Sequence, residues 1–173
     1  PGQRSWGRTF SRSRSAMYAY GSLGYRPNLR RPRTFHEHLI SHLVTNEDPR
    51  RAQLADKLAV RAYVARATPW IRTAEVDASA ASAKDLDLKA LPSVSVLKAN
   101  NASGRLRVLQ QPFDVRAAQD VADRWLRADP APTRVPSRRE RHYAEIPPRV
   151  FVEEHLGTEP GKRIDDYRFY TFG

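Results

Sequence analysis

The chain has 173 residues, no cysteine and a formal net charge of +11. That length suits one domain or two small subdomains with a core of their own, and the missing cysteine excludes thiolate catalysis and thiolate metal sites. No apolar run of about 18 residues occurs, which excludes a membrane-spanning helix.

The charge is unevenly placed. Residues 1–33 hold eight arginines and no acid, so most of the net charge belongs to an amino-terminal arm. Ser11-Arg-Ser-Arg-Ser15 within it has the composition of a basic, flexible segment. No apolar stretch of signal-peptide length follows these charges, and the expected location is the cytoplasm. The chain opens on Pro1 and closes on Phe-Tyr-Thr-Phe-Gly173, which reads as the end of a strand, so a segment of a longer protein is expected.

Thr34-Phe-His-Glu37 forms a capping box that opens a helix with Phe35, Leu39, Ile40 and Leu43 on one face. Asp48-Pro49 offers a second helix start, leading into a helical region at 50–67 that breaks near Asp56. There Asp56 reads as an N-cap and Lys57 as the first helical residue, with Val60, Tyr63, Val64 and Ala67 burying one face. Thr68-Pro69 ends the helix. Residues 70–76 read as a short strand, and 78–90 as loop or a short helix.

Residues 94–109 read as strand, lysine, tight turn and returning strand. Side chains alternate along a strand, so Val94 and Val96 share a face with Lys98, whose ammonium projects where the turn begins. Asn100, Asn101, Ser103 and Gly104 are residue types whose backbone N–H groups can converge on an anion. The segment is therefore a candidate phosphate clamp, with an ordinary surface hairpin as the alternative. Asp114 caps a further helix with the apolar stripe Val115, Ala118, Ala122, Trp125 and Leu126. Residues 129–141, with Pro130, Pro132, Pro136 and four arginines, form a stiffened basic connection. Two strands follow, at 150–156 with an acidic end and at 165–172. Helices and strands mix without a βαβ beat, which points to an α+β fold.

Arginine outnumbers lysine 25 to 5. Keeping lysine at Lys57 and Lys98 singles those two out as candidate phosphate ligands, against a solvated first-turn lysine in the case of Lys57. Glu153 and Glu154 are adjacent on a strand and point to opposite faces, so they cannot both serve one acid/base site. Arg168 alternates with Tyr167 and Phe169 and reads by itself as an ion-pair partner. His36, His38 and His42 do not match a zinc-protease helix and suggest no third ligand. No nucleophile elbow of the Gly-x-Ser-x-Gly kind is present.

Taken in order, Arg31-Pro-Arg-Thr-Phe-His-Glu37, Leu54-Ala-Asp-Lys-Leu-Ala-Val-Arg-Ala-Tyr-Val64, Val96-Leu-Lys-Ala-Asn-Asn-Ala-Ser-Gly104, Pro148-Arg-Val-Phe-Val-Glu-Glu-His-Leu156 and Asp166-Tyr-Arg-Phe-Tyr-Thr-Phe-Gly173 resemble the TupA-like ATP-grasp family. Its members serve cell-surface polymer pathways such as teichuronopeptide synthesis, and some are labelled glycosyltransferases. The resemblance implies ATP as cofactor and a front portion of the ATP-grasp fold. That comprises a helical and strand region at 34–92, a lid subdomain at 93–148 carrying the hairpin, and the start of a second subdomain at 149–173. It implies that Lys57 and Lys98 touch the ATP phosphates and that Ser103 and Gly104 lie in the loop over them. Glu153, Glu154 and Leu156 would belong to the adenine-side hinge, while Arg168 stands where lysine is usual. The loop here is Asn-Asn-Ala-Ser-Gly, where the family resembles Asn-His-Gly-Ser-Gly, so Ala102 replaces a glycine. The carboxylates and asparagine that hold magnesium in ATP-grasp enzymes come later than Gly173, and this segment is expected not to catalyse alone.

The implied activity is that of an ATP-dependent carboxylate–amine-type ligase with an unidentified acceptor. A reading from a different class is a non-catalytic basic module whose residues 1–33 bind anionic polymer or nucleic acid, with steep salt dependence. A third is a polysaccharide-pathway glycosyltransferase, for which no paired acidic metal motif appears.

Overall fold

The computed structural model describes residues 21, 23–45, 48–128, 141–157 and 167. Residues 1–20 of the arm, 129–140 of the basic connection and the predicted strand at 165–172, Tyr167 apart, lie outside them. In chain order the elements are α1 (Phe35–Thr45), α2 (Arg50–Ala55), α3 (Ala59–Ala67), β1 (Val76–Ala80), a 3-10 turn (Ala83–Asp85), β2 (Val94–Ala99), β3 (Leu106–Gln110), α4 (Val115–Arg127), α5 (Arg141–Ala144) and β4 (Val150–Glu154). The mixture of helices and one antiparallel sheet is an α+β fold. Among the described residues no helix is long and apolar enough to cross a membrane.

Two compact units divide the chain, one up to Asp56 together with the segment ending at Ile146, the other comprising Lys57–Ala128 and the chain from Pro147 onward. The break falls inside the region 34–92.

In the first unit the capping box at α1 forms as predicted. The Glu37 amide donates to Thr34 Oγ1 at 3.3 Å, and Thr34 N donates back to Glu37 Oε2 at 3.1 Å. The carboxylate also accepts the amides of Asn28 and Arg33, each at 2.7 Å. Residues 28–34, which the sequence assigns largely to the arm, thus wrap around one side chain, and Leu29 is buried beside them. Glu37 takes the inward position on this first turn. Phe35 and Leu39 stand two residues away on either side, about 200° around the helix, and both are exposed. The predicted apolar face is to that extent corrected.

The second unit is built on the four-stranded sheet, in the order β1-β4-β2-β3, with every pair antiparallel. Its central strand β4 carries Val150, Phe151 and Val152, each fully buried, as expected of a strand covered on both faces. Paired residues share a face. One face therefore gathers Val150, Val152, Leu97, Ala80 and Leu109, and packs against Ala118, Val121 and Ala122 of α4. Asp114 caps α4 as predicted, accepting the Ala117 amide at 3.0 Å. Arg105 and Arg107 of the hairpin donate to carbonyls of the same helix, Arg105 to Trp125 at its last turn and Arg107 to Ala117.

Two expected elements are placed differently. The strand expected at 70–76 begins instead at Val76 and runs to Ala80, because its position is set by pairing with the apolar run of β4 rather than by local β-propensity. Trp70 and Ile71 lie outside it and are exposed. The break near Asp56 is present, but Asp56 closes α2, its amide bonding to the Ala52 carbonyl, and the N-cap position of the following helix falls on Leu58. Lys57 sits in the turn between α2 and α3. Its amide donates to the Asn100 carbonyl at 3.2 Å, and this long-range bond replaces the helical one. Within α3, Val60 and Val64 are half-buried while Tyr63 and Ala67 are exposed.

The Glu37 cage carries a pH signature. Hydrogen bonds from the amides of Asn28, Arg33 and Thr34 hold its carboxyl below the usual value of 4.5. A lowered carboxyl contributes stability that is complete above its unfolded value and lost as pH falls through the folded one. Amide-exchange protection at Asn28, Arg33 and Thr34 is therefore expected to hold from neutrality down to about 4.5 and to decline below it. Glu37→Gln should lower that protection at neutral pH and flatten its dependence on acid. Unchanged protection in the variant would show that the carboxylate does not hold this turn.

Candidate functional site

The second face of the sheet carries a buried ionic cluster. Glu153 on β4 pairs with Val96 on β2 and Val76 on β1, and Lys98 pairs with Phe151, so Lys98, Phe151 and Glu153 stand together. Lys98 Nζ donates to Glu153 Oε1. The carboxylate's other oxygen accepts from Arg61 of α3, whose second terminal nitrogen donates to the Ala74 carbonyl. The Arg61 guanidinium lies over the Phe151 ring, 5.9 Å from its centroid. The Glu153 side chain is only 9% exposed, and Arg61 and Lys98 are 21% and 27% exposed. A carboxylate that deep has to be paired, and here two cations share it.

Asn100 joins the hairpin turn to the start of β4. Its Oδ1 accepts the Arg149 amide at 2.8 Å, its Nδ2 donates to the Pro147 carbonyl at 3.1 Å, and its own amide donates to the Arg149 carbonyl at 3.0 Å. Asn100, Asn101 and Ala102 are all buried. Lys57 closes the group, its ammonium donating to the Ala102 carbonyl at 2.5 Å and more weakly to that of Asn100 at 3.4 Å. Ser103 and Gly104 are the exposed tip. Gly104 has φ +74°, the left-handed conformation that favours glycine. Ala102 does not need that conformation, since no non-glycine described residue has a positive φ.

The predicted site residues thus fall into groups. Lys98 and Glu153 are in direct contact, Lys57 binds the turn that follows Lys98, and Ser103 and Gly104 form the tip of that turn. Glu154 is turned to the opposite face, as its parity requires. It binds Arg72 at 2.6 Å, and this contact holds its carboxyl below the usual carboxylate range. Leu156 lies past the strand and is exposed. Arg168 is outside the described residues. Beside Lys98 the face continues over the edge strand as Leu106 and Val108, both exposed. Among the described residues no group of three His, Cys, Asp or Glu side chains could hold a metal ion.

Sequence reasoning missed Arg61 and the structural role of Asn100. The signal for Arg61 was the absence of any acid from the helix Ala59–Ala67, which left its charge without a local partner.

The sequence model of one family, described as TupA-like ATPgrasp, matches residues 37–173. No curated protein and no solved structure matches the chain.

Asn100→Ala should destabilise the protein by about 1–3 kcal/mol, because it removes the acceptor of the Arg149 amide beside a fully buried side chain, and a buried unmet group costs about 1–3 kcal/mol. Chemical denaturation measures it. A loss below about 0.5 kcal/mol, the level of an ordinary surface substitution, would show that Asn100 does not pin the turn.

Proposed function

The chain belongs to the TupA-like ATP-grasp family, and on that premise we propose that it is the ATP-binding front portion of an ATP-dependent carboxylate–amine-type ligase in cell-surface polysaccharide or teichuronopeptide synthesis. The observation that carries the reading is the cationic face of the sheet. Lys98 and Arg61 share one carboxylate, Glu153, and Lys57 is held on the turn that follows Lys98, so three cations at partly sheltered positions accompany one acid. Such a site suits a polyphosphate better than a single carboxylate ligand.

The residues present fit ATP in their donor chemistry. Lys98 and Lys57 would hold phosphate oxygens by their ammonium groups, and the exposed tip at Ser103 and Gly104 would cover them. Glu153 and the chain through Leu156 would form the adenine side. Glu154, which faces away with Arg72, supports the hinge through its backbone rather than its carboxylate. Bound ATP supplies a γ-phosphoryl group that a substrate carboxylate oxygen can take with departure of ADP, after which an amine displaces phosphate from the acyl carbon. This chain's part is to position and to neutralise charge.

Lys98→Ala is expected to weaken ATP binding by about tenfold or more, equivalent to about 1.4 kcal/mol, with the fold intact by circular dichroism. Lys57→Ala should weaken it too, with part of the effect arising from the released turn. Titration calorimetry of ATP against each protein is the measurement. Equal affinity in Lys98→Ala and the unaltered protein would remove the basis for this reading.

A further inference from the structure

Arg61 differs from the two lysines in how it is held. Its two terminal nitrogens are spent on Ala74 and Glu153, and its plane lies over Phe151. Lys98, by contrast, reaches Glu153 at the end of a flexible stem and is the more exposed of the two cations. A lysine that meets a phosphate must first leave the carboxylate it is paired with. Leaving a carboxylate that is 9% exposed without a countercharge is strongly unfavourable. In this site a second cation already occupies the other oxygen.

We propose that Arg61 is a positioning residue for nucleotide binding: it keeps Glu153 neutralised so that Lys98 can move its ammonium from the carboxylate to a phosphate oxygen of the ligand. This rests on the nucleotide reading above and adds to it a residue that touches no phosphate itself. The fixed guanidinium fork suits this task, because it satisfies Ala74 and Glu153 together, whereas an ammonium is a point charge with no planar fork. Arg61 thereby sets how readily Lys98 is released. Without it, Lys98 is the remaining countercharge of a sheltered carboxylate and is held there.

The test compares ligands with and without phosphates. ATP and adenosine are titrated into the unaltered protein, Arg61→Gln, Arg61→Lys, and the double variant Arg61→Gln with Glu153→Gln, with folding checked by circular dichroism and thermal melting. Arg61→Gln should lose about tenfold or more in ATP affinity while adenosine affinity stays within about twofold. Adding Glu153→Gln should recover much of the lost ATP affinity, because the neutral amide no longer retains Lys98. A general packing defect would not be reversed in this way, and simple loss of a positive charge would give Glu153→Gln the same gain in ATP affinity with Arg61 present as without it, so Glu153→Gln alone is titrated as well and the positioning role requires the larger gain in the Arg61→Gln background. Arg61→Lys should fall between the unaltered protein and Arg61→Gln.

The proposal is overturned if Arg61→Gln binds ATP as the unaltered protein does, if ATP and adenosine weaken equally, or if the double variant is no better than the single one. Should Arg61→Gln not fold, the same ligand comparison is read on Arg61→Lys, where unchanged ATP affinity or equal loss for both ligands overturns it. Failure of the unaltered protein to bind ATP sinks the nucleotide reading itself. ATP binding that is indifferent to Arg61 sinks only the positioning role.

Discussion

The buried carboxylate of Glu153 organises the sheet unit. It stands on the central strand, with Lys98 of the hairpin on one oxygen and Arg61 of the preceding helix on the other. Through Arg61 it also reaches the Ala74 carbonyl, just ahead of the edge strand β1. Helix α3, the hairpin and the approach to β1 are therefore tied to one charge. A buried pair that loses one partner is destabilised by about 3–5 kcal/mol. Division of the carboxylate between two cations changes that balance, since the loss of either leaves it paired with the other.

The parts legible in the sequence were those governed by local periodicity. Alternation along the strand placed Lys98 on the face of Val96 and set Glu153 and Glu154 on opposite faces. The capping box at Thr34 and the cap at Asp114 followed from residue type and spacing alone. The parts that were not legible depend on pairing across the chain. Arg61 and Glu153 are 92 residues apart, and no helical or strand period connects them. The same cause explains Lys57, where an N-cap pattern in Asp56-Lys57 was overridden by an amide bond to the Asn100 carbonyl. Glu37 shows the converse. Its capping role was legible, but its burial was not, because that arises from the amides of Asn28 and Arg33 folding over it.

The turn after Lys98 has two physically distinct halves. Asn100 to Ala102 are buried and fastened to Arg149, Pro147 and Lys57, while Ser103 and Gly104 stand exposed. An alanine in place of glycine matters only where the backbone must be left-handed, and that requirement falls on Gly104 rather than Ala102. Ala102 therefore stands on the anchored half, where its methyl group is buried without backbone strain, and Gly104 stands at the open half.

The two lysines meet unlike partners, and this difference orders the energetics of the site. Lys57 donates to backbone carbonyls, which are neutral dipoles. Lys98 donates to a full negative charge in a sheltered position, where Coulombic attraction is less screened than in water. In the exchange proposed above, of a carboxylate for a phosphate oxygen, Lys98 trades one charge–charge interaction for another. The net gain at Lys98 then depends on how well Glu153 is satisfied after the exchange, and that is decided by the cation that stays behind. Arg61, held by Ala74 and the face of Phe151 as well as by the carboxylate, is placed to be that cation.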